Sequence, residues 1–322
     1  MRVALVLGSG GARGYAHIGV IDALRERGFD VVGISGSSMG ALVGALQAAD
    51  KLDEFSSWAS ALTQSAVLRL LDPSLTAAGV LRAEKILAAV REIIGPRTIE
   101  SLPIPYTAVS TDLIAGKSVW LQRGPIDAAI RASIAIPGVI APYLLDGRLL
   151  ADGGILDPLP MAPLAAVNAD LTIAVSLNAS DPNPAPESPR PTAELLNRMR
   201  RSTTSLIDRA AASTLLDGPT ARSVLSRFSN AVDGIDAVPE SEVETEEDTH
   251  VPRLGGFEVM NRTIEISQAA LMRHTLAAYP PDLLIEVPRT VCRSLEFYRA
   301  SEVIEIGHEL ACAALDSLDH AD

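Results

Sequence analysis

Three short segments carry residue types that could do chemistry together. Gly36-Ser37-Ser38-Met39-Gly40 has the G-x-S-x-G spacing in which a tight turn between a strand and a helix presents a serine, the glycines removing side chains that would collide there. Ser38 would then stand at a helix N-terminus, where unpaired backbone N–H groups favour a developing oxyanion. Gly8-Ser9-Gly10-Gly11-Ala12-Arg13-Gly14 is a glycine loop whose successive amides can point at one spot. The N–H groups of Gly10, Gly11, Ala12, Arg13 and Gly14 are thus candidate donors to the carbonyl oxygen of an ester, each donor contributing about 3 kcal/mol to the transition state. The third segment, Asp152-Gly153-Gly154-Ile155-Leu156-Asp157-Pro158, offers a carboxylate beside two glycines.

A serine hydroxyl is a poor nucleophile at neutral pH and needs a base within hydrogen-bonding reach, usually a histidine oriented by a carboxylate. Histidine is scarce: His17 falls on the first helix, His250 in an acidic stretch, His274 on a late helix, and His308 and His320 near the C-terminus. The order Ser38, Asp152, His274 matches an α/β-hydrolase triad, but that fold reaches its nucleophile only after several strands, and Ser38 follows the second. The other candidate base is Asp152 itself. Asp146 is explained by a turn and Asp157 is read as structural. The glycine loop also has a dinucleotide-binding reading, which fits poorly. Arg13 stands where the third glycine belongs, and Asp30 precedes the second strand instead of ending it.

These segments need strands and helices to bring them together. Val3–Leu7 reads as a buried strand, Tyr15–Arg27 as a helix ending at Gly28, Val31–Ser35 as a second strand and Ala41–Ala48 as a small-residue helix. Such alternation predicts an α/β fold: a mostly parallel central sheet with helices on both faces and ligands bound at the carboxyl ends of the strands. Residues 52–94 look largely helical, with breaks near Asp72-Pro73 and Ala78-Gly79. Tyr106–Thr111, Val119–Leu121, Leu171–Leu177 and Leu283–Val287 look like further strands, and residues 301–315 like a closing helix. Asp146-Gly147 signals a two-residue hairpin whose second arm delivers Asp152. We expect one domain over 1–322, with the core motifs in 1–180. Residues 181–256 read as a mobile insertion, and 257–322 as a strand and helices covering the sheet. Within the insertion, residues 181–186 are proline-rich, 240–248 acidic, and Leu195–Ala210 patterned as a packed helix.

Bulk properties narrow the partners. Hydrophobic residues make up 48% and charged residues 21%, a globular composition. A net charge of -13 argues against nucleic acid, which needs a concentrated positive field. The two cysteines, Cys292 and Cys312, show neither a disulfide framework nor a zinc pattern, so a reducing cytoplasm is expected and no metal or cofactor is indicated. No long uncharged apolar run appears, which leaves membrane contact peripheral. The oligomeric state is not legible.

In order and spacing, Gly10-Gly11-Ala12-Arg13-Gly14, Gly36-Ser37-Ser38-Met39-Gly40 and Asp152-Gly153-Gly154 resemble the oxyanion-hole, nucleophile and Asp-Gly motifs of the patatin-like phospholipases. The resemblance covers residues 1–180 and, more faintly, the C-terminal strand and helix. It implies a three-layer α/β/α fold and a Ser38–Asp152 dyad that works without histidine. It further implies acyl-enzyme chemistry on phospholipids, lysophospholipids or other lipid esters, with no cofactor in the chemical step. Asp152 would need a desolvated setting to be basic enough. By the same resemblance His17 packs or hydrogen-bonds locally, and Arg131-Ala132-Ser133 and Pro137-Gly138 are architecture. A regulatory or binding protein on this fold, with little turnover, is the alternative, and 181–256 leaves room for it.

Overall fold

The first strand shows why the chain folds around it. In β1 (Arg2–Leu7), Val3, Leu5 and Leu7 enter one apolar cluster and Ala4 and Val6 another on the opposite side, so both faces of the strand are buried. A strand buried on both faces reads as a continuous apolar run and belongs in the middle of a parallel sheet. It pairs in parallel with β2 (Asp30–Ser37) on one side and β7 (Leu171–Ala179) on the other, and β7 pairs in parallel with β8 (Leu283–Pro288). Beyond β2 lies β3 (Tyr106–Asp112), also parallel. The structure, a computed structural model, describes residues 1–70, 84–179 and 256–319, all within one compact unit.

The outer part of the sheet departs from the parallel rule. β3 is flanked by antiparallel β4 (Lys117–Leu121) and β6 (Arg148–Asp152), and β6 pairs with β5 (Tyr143–Leu145). The hairpin read at Asp146-Gly147 is present, with positive φ at both residues, as its mirror-image turn requires.

Helices cover both faces. The larger cluster packs α1 (Ala16–Glu26), α2 (Met39–Ala48), α3 (Leu52–Ser60), α5 (Glu84–Ile94), α6 (Ile126–Ser133) and α8 (Ala300–Asp319) on the sheet, and α4 (Gln64–Leu70) lies beside α5. Its buried Leu, Ile and Phe side chains contribute about 1.5–3 kcal/mol each. On the other face Met272 of α7 (Gly256–Ala278) packs against Val6, Ala174 and Met161.

Most element boundaries match the sequence reading within a few residues. The first helix begins as a tight 3-10 turn, Gly11–Tyr15, before α1. β2 runs on to Ser37, so the serine turn is sharper than expected. Asp30 begins β2, at the end of the sheet away from the glycine loop, which removes the ribose-binding role a dinucleotide site would need. The 181–256 insertion, its Leu195–Ala210 helix, and the breaks at residues 72–73 and 78–79 lie outside the described residues, apart from Gly256 at the start of α7. Among the described residues, no helix is long and apolar enough to cross a membrane.

Candidate active site

One edge of β3 aligns the reactive groups. β2 runs up that edge until Ser37 lies opposite Val109. β6 then comes down the same edge and stops with Asp152 opposite Ser110, while β4 fills the other edge. Two strand ends therefore meet head to head on consecutive residues of β3. The consequence is a contact: Ser38 Oγ donates to Asp152 Oδ2 at 2.5 Å, with Ser38 only 2% and Asp152 only 3% exposed.

The serine turn is strained and held from several sides. Ser38 has φ 56° and ψ -122°, a conformation L-residues avoid, costing about 1–3 kcal/mol. Its carbonyl accepts from the N–H groups of Ala41 and Leu42, which starts α2 directly after the serine. Gly40 is required by space, because a Cβ there would lie 2.2 Å from the Leu7 carbonyl oxygen. The Ser38 N–H donates to Ser133 Oγ at 2.9 Å, and that hydroxyl donates to the Val109 carbonyl at 2.6 Å. Ser133 is thus a working part of the turn; the sequence reading marks Arg131-Ala132-Ser133 only as architecture, without this role. Ser133→Ala leaves a buried N–H and a buried carbonyl short of a partner, so a loss of about 1–3 kcal/mol is expected in urea unfolding.

Asp152 is held as tightly. Its Oδ1 accepts from the Gly154 N–H at 2.8 Å, and its own N–H donates to the Ala135 carbonyl. Gly153 must be a glycine, since a Cβ would lie 2.1 Å from the Val109 carbonyl oxygen. Burial pushes the Asp152 carboxyl up to about 6, against the opposing pull of the hydrogen bonds from Ser38 and Gly154. That is the desolvated setting the sequence reading required. Asp157 is also pushed up to about 6 by burial, but its recorded bond is from its N–H to the Gly153 carbonyl, an anchor for the loop.

The glycine loop narrows the set of free amides. The N–H groups of Gly8 and Ser9 go to the carbonyls of Val175 and Pro158, and that of Ala12 to Ser294 at 2.9 Å. Those of Arg13 and Gly14 lie inside the 3-10 turn, where amides face carbonyls three residues back. Of the five expected donors, Ala12, Arg13 and Gly14 are therefore occupied, because the loop closes into helix sooner than its glycines suggest. Gly10 and Gly11 keep amides with no backbone partner among the described residues. The Arg13 guanidinium turns into the protein, its Nε donating to the Gly10 carbonyl at 3.2 Å.

His17 lies behind the loop, fully buried, with Nε2 2.8 Å from the Gly8 carbonyl oxygen. Burial lowers its pKa to about 4, so it is neutral and serves as a local brace. His274 is exposed on α7, and the hydroxyl of Ser38 is bonded to Asp152 instead.

Ser38 and Gly11 open onto an apolar pocket walled by Tyr15, Met39, Leu42, Phe55, Trp58 and Ile140. Phe55 stacks obliquely between Tyr15 and Trp58, with centroids 6.3 and 5.6 Å away. Among the described residues, no group of three His, Cys, Asp or Glu side chains could hold a metal ion.

A strained serine touching a buried carboxylate, beside two amides that have no backbone partner among the described residues and a hydrocarbon-lined pocket, suits acyl transfer from an apolar ester. Residues 5–165 match the Patatin-like phospholipase family. An uncharacterized NTE family protein of Mycobacterium tuberculosis is 67% identical over 335 aligned residues, covering 100% of this chain and 93% of its own length. Patatin-like phospholipase domain-containing protein 6 of Homo sapiens is 32% identical over 186 residues, 56% of this chain and 14% of that protein. Among solved structures, VipD from Legionella pneumophila aligns with 98% of this chain and 66% of its own at 15% identity and a TM-score of 0.42. With one relative matched along the whole chain and the serine, glycine and aspartate segments inside the family's span, this chain belongs to the patatin-like phospholipase family.

Proposed function

We propose that the protein hydrolyses fatty-acyl esters of phospholipids or lysophospholipids through a Ser38–Asp152 dyad and an acyl-enzyme intermediate. The observation that carries this reading is the 2.5 Å bond between a buried hydroxyl and a buried carboxylate at the mouth of an apolar pocket. Ser38 Oγ attacks the acyl carbonyl carbon while Asp152 accepts the hydroxyl proton. The oxygen that gains charge is met by the Gly10 and Gly11 amides. As the tetrahedral species collapses, Asp152 returns the proton to the departing alcohol, leaving the acyl group on Ser38. Asp152 then takes a proton from water, the hydroxide adds to the acyl carbon, and the fatty acid leaves as the proton returns to Ser38. The acyl chain lies among Leu42, Phe55 and Trp58, whose burial of hydrocarbon supplies binding. We place the protein in the cytoplasm, touching membranes only peripherally.

A fluorophosphonate probe tests the nucleophile: the mass of one phosphonyl group should be found on the peptide carrying Ser38. A protein that neither takes the probe nor turns over any ester in a panel of phospholipids, lysophospholipids and nitrophenyl esters is a binding protein on this fold.

Two further results are expected. Because Asp152 acts as a base only when ionised, kcat/KM for a soluble ester should fall below about pH 6, one proton at a time. Leu62 lines the pocket and is only partly buried, so Leu62→Trp should shorten the space without breaking the core. Palmitoyl ester turnover should then drop about tenfold or more relative to acetyl ester turnover, a ratio that stays fixed if the chain lies elsewhere.

A further inference from the structure

The family match ends at residue 165, yet the glycine loop is gripped by a helix a hundred residues beyond it. Glu265 of α7 accepts from Arg13 Nη2 at 3.3 Å, and the same oxygen accepts from Ser294 Oγ at 3.4 Å. Each partner in turn holds the loop. Arg13 Nε donates to the Gly10 carbonyl, and the Ser294 carbonyl accepts the Ala12 N–H. One carboxylate thus secures both ends of the segment Gly10–Ala12. One turn further along α7, the Gln268 amide sits against Gly154, whose N–H orients Asp152.

We propose that Glu265 is a positioning residue for acyl transfer, setting the Gly10–Gly11 peptide through Arg13. The reason lies in the peptide bond. It is planar and trans, so the Gly10 carbonyl and the Gly11 N–H point in opposite directions. Arg13 fixes the carbonyl on the protein side, and Gly11, whose amide is thereby turned the other way, lines the pocket with Ser38. The Arg13 backbone N–H also faces that carbonyl across the 3-10 turn, and the guanidinium adds the second, side-chain hold only while it stays in place. It is almost wholly buried, and a buried guanidinium that loses its counter-charge is drawn toward water. Glu265 supplies that counter-charge from a helix outside the catalytic motifs. Arg13 also reaches the Arg289 carbonyl at 3.5 Å, a contact that is longer than the one to Glu265 and brings no counter-charge.

The inference rests on the hydrolase reading, and its test separates the two. Full-length wild type, Glu265→Gln, Glu265→Asp and Arg13→Lys are compared with a soluble nitrophenyl ester and a fluorophosphonate. Glu265→Gln is expected to lower kcat and the rate of phosphonylation by about 10- to 100-fold with KM changed by less than about threefold, since the amide is used in the transition state and not in ground-state binding. Arg13→Lys removes the planar fork and should show the same split. The double variant should be no worse than either single one, because both act through one contact. A purely structural ion pair would instead lower the unfolding temperature and leave kcat of the folded protein alone. Should Glu265→Gln fail to fold, Glu265→Asp keeps the charge and withdraws it by one methylene, and a kcat loss with KM held is again expected. Wild-type rates in a folded Glu265→Gln or Glu265→Asp variant overturn the inference alone. A wild-type protein inert to both reagents overturns the hydrolase reading, and this inference with it.

Discussion

Ser38→Ala is expected to abolish phosphonate labelling and to cut ester turnover by about 10⁴- to 10⁶-fold, the range seen when the nucleophile of a covalent mechanism is removed. The magnitude follows from the absence of a substitute. The neighbouring Ser37 hydroxyl is buried in the sheet, and a Cβ added to Gly153 would nearly touch it, so it has no route to the pocket. The fold should survive, because among the described residues the Ser38 side chain bonds only to Asp152 and the N–H that holds the turn belongs to the backbone. Circular dichroism and unfolding temperature close to wild type, together with lost turnover, make the loss chemical. Substantial turnover by this variant would mean that another residue attacks the ester.

The second large effect separates activity from stability. Asp152→Asn keeps an acceptor for the Gly154 N–H and turns an amide N–H toward Ser38 Oγ, but cannot take the hydroxyl proton, so kcat should fall by about 10³- to 10⁴-fold. Stability should move the other way. The folded carboxyl has its pKa raised from 3.8 to about 6, so between those values the folded state binds the proton more readily than the unfolded one. Stability is therefore lost as pH rises through that window, and the full cost of holding a desolvated charge is present above it. The shift corresponds to about 3 kcal/mol, and the uncharged amide is expected to recover about 1–3 kcal/mol of it at pH 8. The gain should shrink to about 0.5 kcal/mol or less near pH 4, where the folded carboxyl is protonated and the unfolded one, at 3.8, is about half so. Urea titrations of both proteins at pH 8 and pH 4 check this. An asparagine variant less stable than wild type at pH 8 would show that the hydrogen bonds to Asp152 outweigh its desolvation.

That trade between function and stability appears elsewhere in the site. The left-handed Ser38 backbone is a local cost, and the structure meets it with Gly40, the Ser133 hydroxyl and the start of α2. In sequence Ser133 reads only as architecture, and its hydrogen-bond partners are not legible there. A serine in the last turn of a helix is unremarkable until the helix is laid across β3, where its hydroxyl fills the gap between a strained N–H and a strand carbonyl. Glu265 is similar, since its role depends on where α7 crosses the sheet.

The amino-acid sequence by itself determined the local pieces: a doubly buried first strand, a glycine loop turning into helix, a serine turn after the second strand, and a hairpin ending in Asp152. These were legible because apolar periodicity, glycines in tight turns and the Asp-Gly hairpin signal act over a few residues. Only the tertiary structure decided which of them meet. Ser38 and Asp152 are 114 residues apart, and their contact is set by β3, whose one edge serves as a ruler along which β2 ends upward and β6 ends downward. Tertiary packing likewise chose which loop amides stay free, because the Ala12 N–H meets Ser294 of a distant segment. Pairing between strands carries no signature in either strand alone, so Asp152 could be named as the base only through the family resemblance, and the oxyanion donors could not be narrowed below five residues before the chain was folded.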